Sequence, residues 1–332
     1  MKAMLSTQIG GPETLVWSDL PDPEVKKGHL LVGVQAAGVN FPDTLIIRDM
    51  YQMKPPRPFA PGGEIAGEVL AVGDGVNGFS VGDRVLALTA HGGFVSHINI
   101  PAASAVKIPD DMPYEDAACF IFTYGTSHHA LKDRAHLKPG ESLLILGAAG
   151  GVGAAAIELG KAAGAKVIAA VSSEEKAEFC RQLGADETIV YPTTLDRDAQ
   201  KMLSAEFKRL SGGEGVDVVY DAVGGDYAEP AIRALAWTGR FLVVGFPAGI
   251  PKIPLNLTLL KGSQIVGVFW GAAVFRDPKG HEENSSELFS LYSEGKIRPR
   301  ITAAYPMDQA ADALRLIEDR KVMGKVVLTI PT

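Results

Sequence analysis

Thiols are nearly absent from this chain. Its 332 residues include two cysteines, Cys119 and Cys180, whose wide separation excludes a disulfide framework, a C-x-x-C redox motif and a cysteine-built zinc cluster. Both read as small buried apolar residues rather than as reactive thiols. No apolar run reaches the roughly 20 residues of a membrane-spanning helix, and the opening MKAMLSTQIG lacks the apolar core of a secretion signal. A cytoplasmic protein is therefore expected. Excess positive charge is missing as well: 39 acidic residues outnumber 32 basic ones, for a net charge of -7, and no basic cluster stands out. That balance argues against nucleic-acid or membrane-surface partners. Internal repeats and low-complexity linkers are also lacking. What the chain holds in quantity is apolar residues (46%), 37 glycines and 21 prolines, the composition of a globular α/β protein rich in tight turns. Its length suits about two domains.

Residues 142–164, SLLILGAAGGVGAAAIELGKAAG, organise the rest. An apolar run leads through a small-residue turn at 147–153 into an alanine-rich segment of helical character, the order strand, turn, helix. With no Cβ in the way, a pyrophosphate can sit against main-chain N–H groups at the positive end of that helix, so Gly150, Gly151 and Val152 are cofactor-binding candidates. The dinucleotide fingerprint is imperfect, because Ala148 stands where its first glycine would fall, leaving Gly150 and Gly153. A second strand at 166–171 completes a strand–helix–strand unit of the expected size. At its end an acidic residue would bond the adenosine ribose and repel a 2′-phosphate. Ser172, Ser173 and Lys176 occupy that place instead, two hydroxyls and a cation, so the expected cofactor is NADPH. Glu174 and Glu175, which oppose this, read as solvated first-turn residues of the next helix.

Up to about residue 109, short β-like runs at 30–35, 65–72, 84–89 and 94–100 are broken by Gly and Pro, the pattern of a β-rich module. Residues 114–135 turn helical. Beyond 171, helices near 174–183, 199–210 and 227–235 alternate with strands at 187–191, 216–220, 240–246 and 264–270. About six strands in this alternation give an α/β doubly wound parallel sheet covered on both faces. Helices near 284–294 and 307–319 and a strand at 325–330 close the chain. That last strand is expected to return and pair with the N-terminal module.

The segments GVNFPDTLIIRDMY, PGGEIAGEVLAVGDGVNGFSVGDRV, AAGGVG, VYDAVGG and GKVVL together resemble the medium-chain dehydrogenase/reductase superfamily, most closely its zinc-free quinone oxidoreductase branch. The resemblance implies a GroES-like β-rich catalytic domain at 1–120, a Rossmann NADP-binding domain at 121–265, and a return to the catalytic domain at 266–332. It also implies an active site in the cleft and a homodimer formed by edge pairing of the nucleotide-binding sheets, for which 264–270 is the candidate edge. Zinc-containing relatives carry a histidine ligand where this chain has Gly63 and a cysteine ligand where it has Asn40. Zinc needs several N or S ligands converging on one point, so no metal is expected. In the pair His128-His129, neighbours on a helix point in different directions, one packed and one solvated.

Without a metal to polarise a carbonyl, the resemblance points to acceptors that are already electrophilic: quinones or other conjugated carbonyl compounds. The protein would position the nicotinamide and supply donors to the developing oxyanion. Asn40 and Tyr51 are the catalytic candidates, Asn40 as an amide donor to acceptor or nicotinamide ribose, Tyr51 as proton or oxyanion donor. Their alternatives are a turn residue before Pro42 and a packing aromatic. Asp43 reads as a structural hydrogen-bonding residue, and Leu45, a tyrosine in some quinone reductases of this type, makes the pocket more apolar.

By matching position, Thr126 would lie near the nicotinamide, or else cap a helix. Tyr191 would lie by the adenine or 2′-phosphate, or else be a core-rim tyrosine. Phe246, Phe269 and Trp270 fall at carboxyl ends of strands, where such sheets bind ligands, and Lys325 would reach phosphates or ribose, or else be a solvated strand-end lysine. The expectation is an NADPH-dependent, zinc-independent reductase acting on a small molecule. A double-bond reductase of alkenals, enones or 2-enoyl thioesters is the enzymatic alternative, and a non-catalytic NADPH-binding protein, crystallin-like or RNA-associating, is the other.

Overall fold

The three central strand-forming runs between residues 142 and 267, Ser142–Leu146, Lys166–Val171 and Val216–Asp221, are almost entirely buried, and all six runs assemble as parallel neighbours. The computed structural model describes residues 1–330. In it the six-stranded sheet runs, edge to edge, Glu187–Val190, Lys166–Val171, Ser142–Leu146, Val216–Asp221, Leu235–Val243 and Gln264–Gly267. Every pairing in it is parallel. Chain order reverses beside Ser142–Leu146, the switch point at which doubly wound sheets hold ligands beyond the carboxyl ends of their strands. Leu143 to Leu146 are all fully buried, because helices cover both faces of such a sheet.

The chain divides into one unit of Met1–Phe122 plus the segment from Pro299 onward, and a second unit, Thr123–Arg298. The first is the β-rich module. Its main sheet runs Ile301–Pro306, Lys325–Thr329, His29–Val39, Glu64–Val72, Arg84–Leu88 and Ala105–Lys107, and His97–Pro101 also pairs with His29–Val39. The closing strand does return: Val326 pairs with Val39 and Thr329 with Ala36, antiparallel. Leu30, Val32, Ile65, Val69, Val85 and Phe94 fill its core.

Residues 266–298 were expected to rejoin the first unit, but they belong to the second. Only Gln264–Gly267 of the expected 264–270 strand is extended, and a helix starts at Trp270. A Cβ on Gly125 would lie 2.4 Å from the Trp270 ring, so the indole is seated directly on that glycine. The long helix Pro278–Ser293 is tied down by Lys132, whose ammonium donates to Asn284 at 2.9 Å and to Glu287 at 2.5 Å. His128 is buried and meets Glu287 at 3.2 Å, while His129 meets Asp133 at 2.7 Å. These polar and aromatic contacts, invisible to periodicity, hold the segment to the second unit.

Candidate active site and cofactor turn

In the second unit the conformation of the glycine turn at 147–153 follows from glycine stereochemistry. Gly147 has φ +73°, a left-handed conformation that glycine adopts without strain, and its N–H and that of Ala148 donate to the Ala170 carbonyl. The tight turn therefore uses Gly147, and Ala148 at the next position is an ordinary buried residue, which explains the imperfect fingerprint. A Cβ on Gly153 would fall 2.4 Å from the Gly147 oxygen, so that glycine is demanded by helix–strand contact. A Cβ on Gly150 would meet nothing closer than 3.5 Å. The fold leaves that side open, as a group approaching the backbone requires. Gly150 caps the helix Gly151–Ala162, and the first-turn N–H groups of Gly151, Val152 and Gly153 are donors that a helix leaves without internal acceptors. Ser127 fixes the turn from behind: its hydroxyl donates to the Val152 carbonyl at 2.8 Å and pairs with the buried Tyr220 hydroxyl at 2.9 Å.

Gly147, Gly150, Ser172, Lys176 and Tyr191 line one small hollow. The Lys176 ammonium donates to the Ser172 hydroxyl at 3.3 Å, and Tyr191 is held in a tilted ring pair with Tyr227, 4.6 Å between centroids. Tyr227 in turn donates to the Pro192 carbonyl at 2.9 Å. Ser173 is the cap of the next helix, its oxygen accepting from the Lys176 backbone N–H. Glu174 and Glu175 are exposed in that helix's first turn, Glu174 paired with Arg181, as their solvated reading required.

Other candidates fall elsewhere in this unit. Thr126 is half-buried in the interior of the helix Ile121–His128 and does not stand at its start. Phe246 and Phe269 are exposed beyond the carboxyl ends of their strands. Trp270 is 7% exposed. Its indole packs on Gly125 and, edge-on, on His281.

The first unit holds a buried charge network built from three adjacent strands. Lys325, on the closing strand, donates from its ammonium to Glu64 at 2.6 Å and to the Asn40 side-chain oxygen at 2.7 Å. The Asn40 amide nitrogen donates to the same Glu64 oxygen at 2.9 Å and faces the Gly38 carbonyl at 3.4 Å. The second Glu64 oxygen accepts from the Phe122 backbone N–H. Gly38 admits all this, since a Cβ there would lie 2.4 Å from Glu64. Burial alone would lower the Lys325 ammonium, but the Glu64 carboxylate reverses that and holds it above its ordinary value. Lys325 is 3% exposed, so it is neither a solvated strand-end lysine nor placed to reach a phosphate. Both N–H groups of the Asn40 amide face protein acceptors, so its expected role as a donor to substrate gives way to that of a strut.

Asp43 bonds as the sequence suggested. Its two oxygens accept from the Asn40 N–H at 2.8 Å and the Gly62 N–H at 3.1 Å, joining the start of the helix Phe41–Ile46 to the loop before Glu64. Burial pushes its carboxyl up to about 7 against those two bonds and the pull of Lys325. Tyr51 packs on this unit's core and is half-buried. Its phenol is pushed up by burial and by the charge of Asp43, so it keeps its proton at neutral pH. Among the described residues its hydroxyl makes no hydrogen bond, which leaves Tyr51 an uncommitted donor. Glu64 was missed as a site residue, and its only signal was its place after Gly62-Gly63. Among the described residues there is no group of three or more His, Cys, Asp or Glu side chains that could hold a metal, and no helix long and apolar enough to cross a membrane.

A β-rich unit closed by its own C-terminal strand, with a doubly wound nucleotide sheet inserted between, defines the medium-chain dehydrogenase/reductase class. Residues 26–110 match the alcohol dehydrogenase GroES-like domain family and 151–285 the zinc-binding dehydrogenase family. Mouse quinone oxidoreductase-like protein 2 is 35% identical over 331 residues, 99% of this chain and 92% of that protein. The Escherichia coli quinone oxidoreductase, solved with NADPH, is 31% identical with a TM-score of 0.90, covering 99% of this chain and 100% of its own. A mycobacterial protein also solved with NADPH is 32% identical with a TM-score of 0.91, at 99% and 100% coverage. The chain belongs to the quinone oxidoreductase-like family of medium-chain dehydrogenase/reductase enzymes.

Proposed function

We propose that this protein is an NADPH-dependent, zinc-independent reductase that passes hydride to quinones or other conjugated carbonyl compounds. One observation carries the metal-free reading: the Lys325 ammonium sits 2.7 Å from Asn40, the residue at a position that is a metal ligand in zinc-containing relatives. That ammonium already engages the Asn40 oxygen and the Glu64 carboxylate, and Gly63 offers no ligand at the other position. The hollow of Gly150, Ser172, Lys176 and Tyr191 fits the phosphate-bearing end of NADPH, because it combines an open backbone with a cation and a hydroxyl. When bound, that cofactor supplies the hydride. Tyr51 supplies an O–H to the oxygen on which charge develops, and Asn40, held by Lys325 and Glu64, keeps the start of the Phe41–Ile46 helix in place.

The same reading includes a homodimer through the edge strand Gln264–Gly267, since Ile265 and nearby Trp237 and Leu259 are exposed on this unit and an unpaired apolar edge invites a partner strand. The test of function is consumption of NADPH and of NADH with ortho-quinones, enones and enoyl thioesters, with product analysis. Quinone turnover with NADPH preferred is expected. Turnover of enoyl thioesters alone would move the assignment to double-bond reduction, and tight NADPH binding without turnover of any acceptor would reduce the protein to a nucleotide binder.

A further inference from the structure

Tyr191 stands where its own strand can do little to orient it. The strand Glu187–Val190 is an edge of the six-stranded sheet, laid against Lys166–Val171. Just past it the Tyr191 N–H donates to the Val171 carbonyl at 2.9 Å. Pro192 follows, and without an N–H it cannot extend the ladder. Yet Tyr191, itself buried, forms a wall of the hollow that holds Ser172 and Lys176. That hollow is about 50 Å³ in volume, a space on the scale of a phosphate group and smaller than a nucleoside.

Tyr227 supplies the orientation from elsewhere in the sheet. Its ring packs on the Tyr191 ring, 4.6 Å between centroids and 48° between planes, and its hydroxyl donates to the Pro192 carbonyl at 2.9 Å. It thus grips both the side chain of Tyr191 and the backbone of the next residue. Lys166–Val171 and Ser142–Leu146 lie between the strands that lead to the two tyrosines. The turn that delivers Tyr227 is itself fixed. One Asp221 side-chain oxygen accepts from the Val223 N–H at 2.9 Å and the Gly224 N–H at 2.8 Å. Gly224 and Gly225 have φ +71° and +57°, and a Cβ on either would lie 2.6 Å from a carbonyl oxygen, of Gly249 and Ala248 respectively. The Gly225 N–H also donates to the Gly249 carbonyl at 2.7 Å. Beyond Tyr227 the chain enters the helix Ala228–Ala234, whose first residue is fully buried. Anchored on both sides, Tyr227 holds its place against Tyr191.

We infer that Tyr227 is a positioning residue for recognition of the cofactor's 2′-phosphate: it keeps the Tyr191 ring as a fixed wall of the hollow in which Lys176 and Ser172 meet that phosphate. This deepens the NADPH reading above and rests on it. Lys176 supplies the charge and Ser172 the hydroxyl, while Tyr191 limits the space in which they are engaged. A wall that is already in place needs no ordering when the cofactor arrives, which raises affinity.

The experiment measures, by calorimetric titration of the full chain, the affinities for 2′,5′-ADP and 5′-AMP, two fragments that differ only in the 2′-phosphate, with melting temperature alongside. Wild type is expected to prefer 2′,5′-ADP. Tyr227→Ala should lower that preference by roughly tenfold, the scale of an aromatic pair, with 5′-AMP affinity unchanged. Tyr227→Phe keeps the ring pair and should restore most of the preference. Tyr191→Ala combined with Tyr227→Ala should be no worse than Tyr191→Ala alone, because one residue acts through the other. If Tyr227→Ala does not fold, Tyr227→Leu takes its place. An unchanged preference in a folded variant, an equal loss for both fragments, or additive losses in the double variant overturns this inference and leaves the reductase reading intact. A wild type with no preference for 2′,5′-ADP overturns both the inference and the choice of NADPH over NADH.

Discussion

Lys325 and Glu64 are at 3% and 0% exposure, and a buried pair is a poor source of net stability because desolvation offsets attraction. Removing one partner is another matter. Lys325→Met strands the Glu64 carboxylate and is expected to cost about 3–5 kcal/mol in a urea unfolding curve, whereas Lys325→Met combined with Glu64→Leu should recover most of that loss. If the double variant is no more stable than the single one, the pair is not the coupled unit described. Asp43 gives a pH signature. Its native carboxyl ionises near 7 and its ordinary value is 3.8, so between these values the folded state binds the extra proton. Stability from Asp43 is therefore full below the lower value and is lost as pH rises to the upper one, by up to about 1.4 kcal/mol per pH unit. Asp43→Asn cannot ionise, so its melting temperature should gain on wild type between pH 5 and pH 8. Parallel curves would show that Asp43 does not titrate in that window.

At the scale of elements, the glycine turn at 147–153, the proposed phosphate site, separates two reasons for glycine. Gly153→Ala pushes a Cβ to 2.4 Å from the Gly147 oxygen, so it should lower both the melting temperature and the affinity for NADPH. Gly150→Ala meets only a 3.5 Å contact and should leave the melting temperature nearly unchanged while weakening NADPH about tenfold, the equivalent of ~1.4 kcal/mol of backbone–phosphate bonding. Calorimetric titration beside thermal melting checks both, and normal affinity in a folded Gly150→Ala protein would place the pyrophosphate elsewhere. The strand–turn–helix was legible from sequence because a turn and its flanking apolar run are local events. Only the offset from Ala148 to Gly147 needed coordinates, since φ is not written in residue identity. Trp270 misled for the converse reason: an apolar run reads equally as strand or helix start, and seating the indole on Gly125 decided it.

For the whole molecule, the proposed dimer is the property most exposed to test. Ile265 is 40%, Trp237 73% and Leu259 80% exposed on the second unit, a cluster of apolar surface by an unpaired edge. Light scattering should give twice the chain mass for wild type and the single mass for Ile265→Lys, with a small fall in melting temperature. A monomeric wild type would dismiss edge pairing. The division of the chain is a second whole-molecule matter: the helix Pro278–Ser293 carried no mark of its allegiance in its own pattern, because its ties to Lys132 and His128 span about 150 residues of sequence.

Sequence alone determined the class of sheet and the strand–turn–helix at 142–164, which depend on periodicity and on residues close along the chain, and it anticipated the return of the closing strand, whose pairing with residues 36–39 is a tertiary contact. Tertiary structure alone decided what Asn40 and Lys325 do. They lie 285 positions apart, and only strand pairing brings them to one buried carboxylate, where desolvation ties the ammonium to the protein and makes a strut of a residue that looked like a donor.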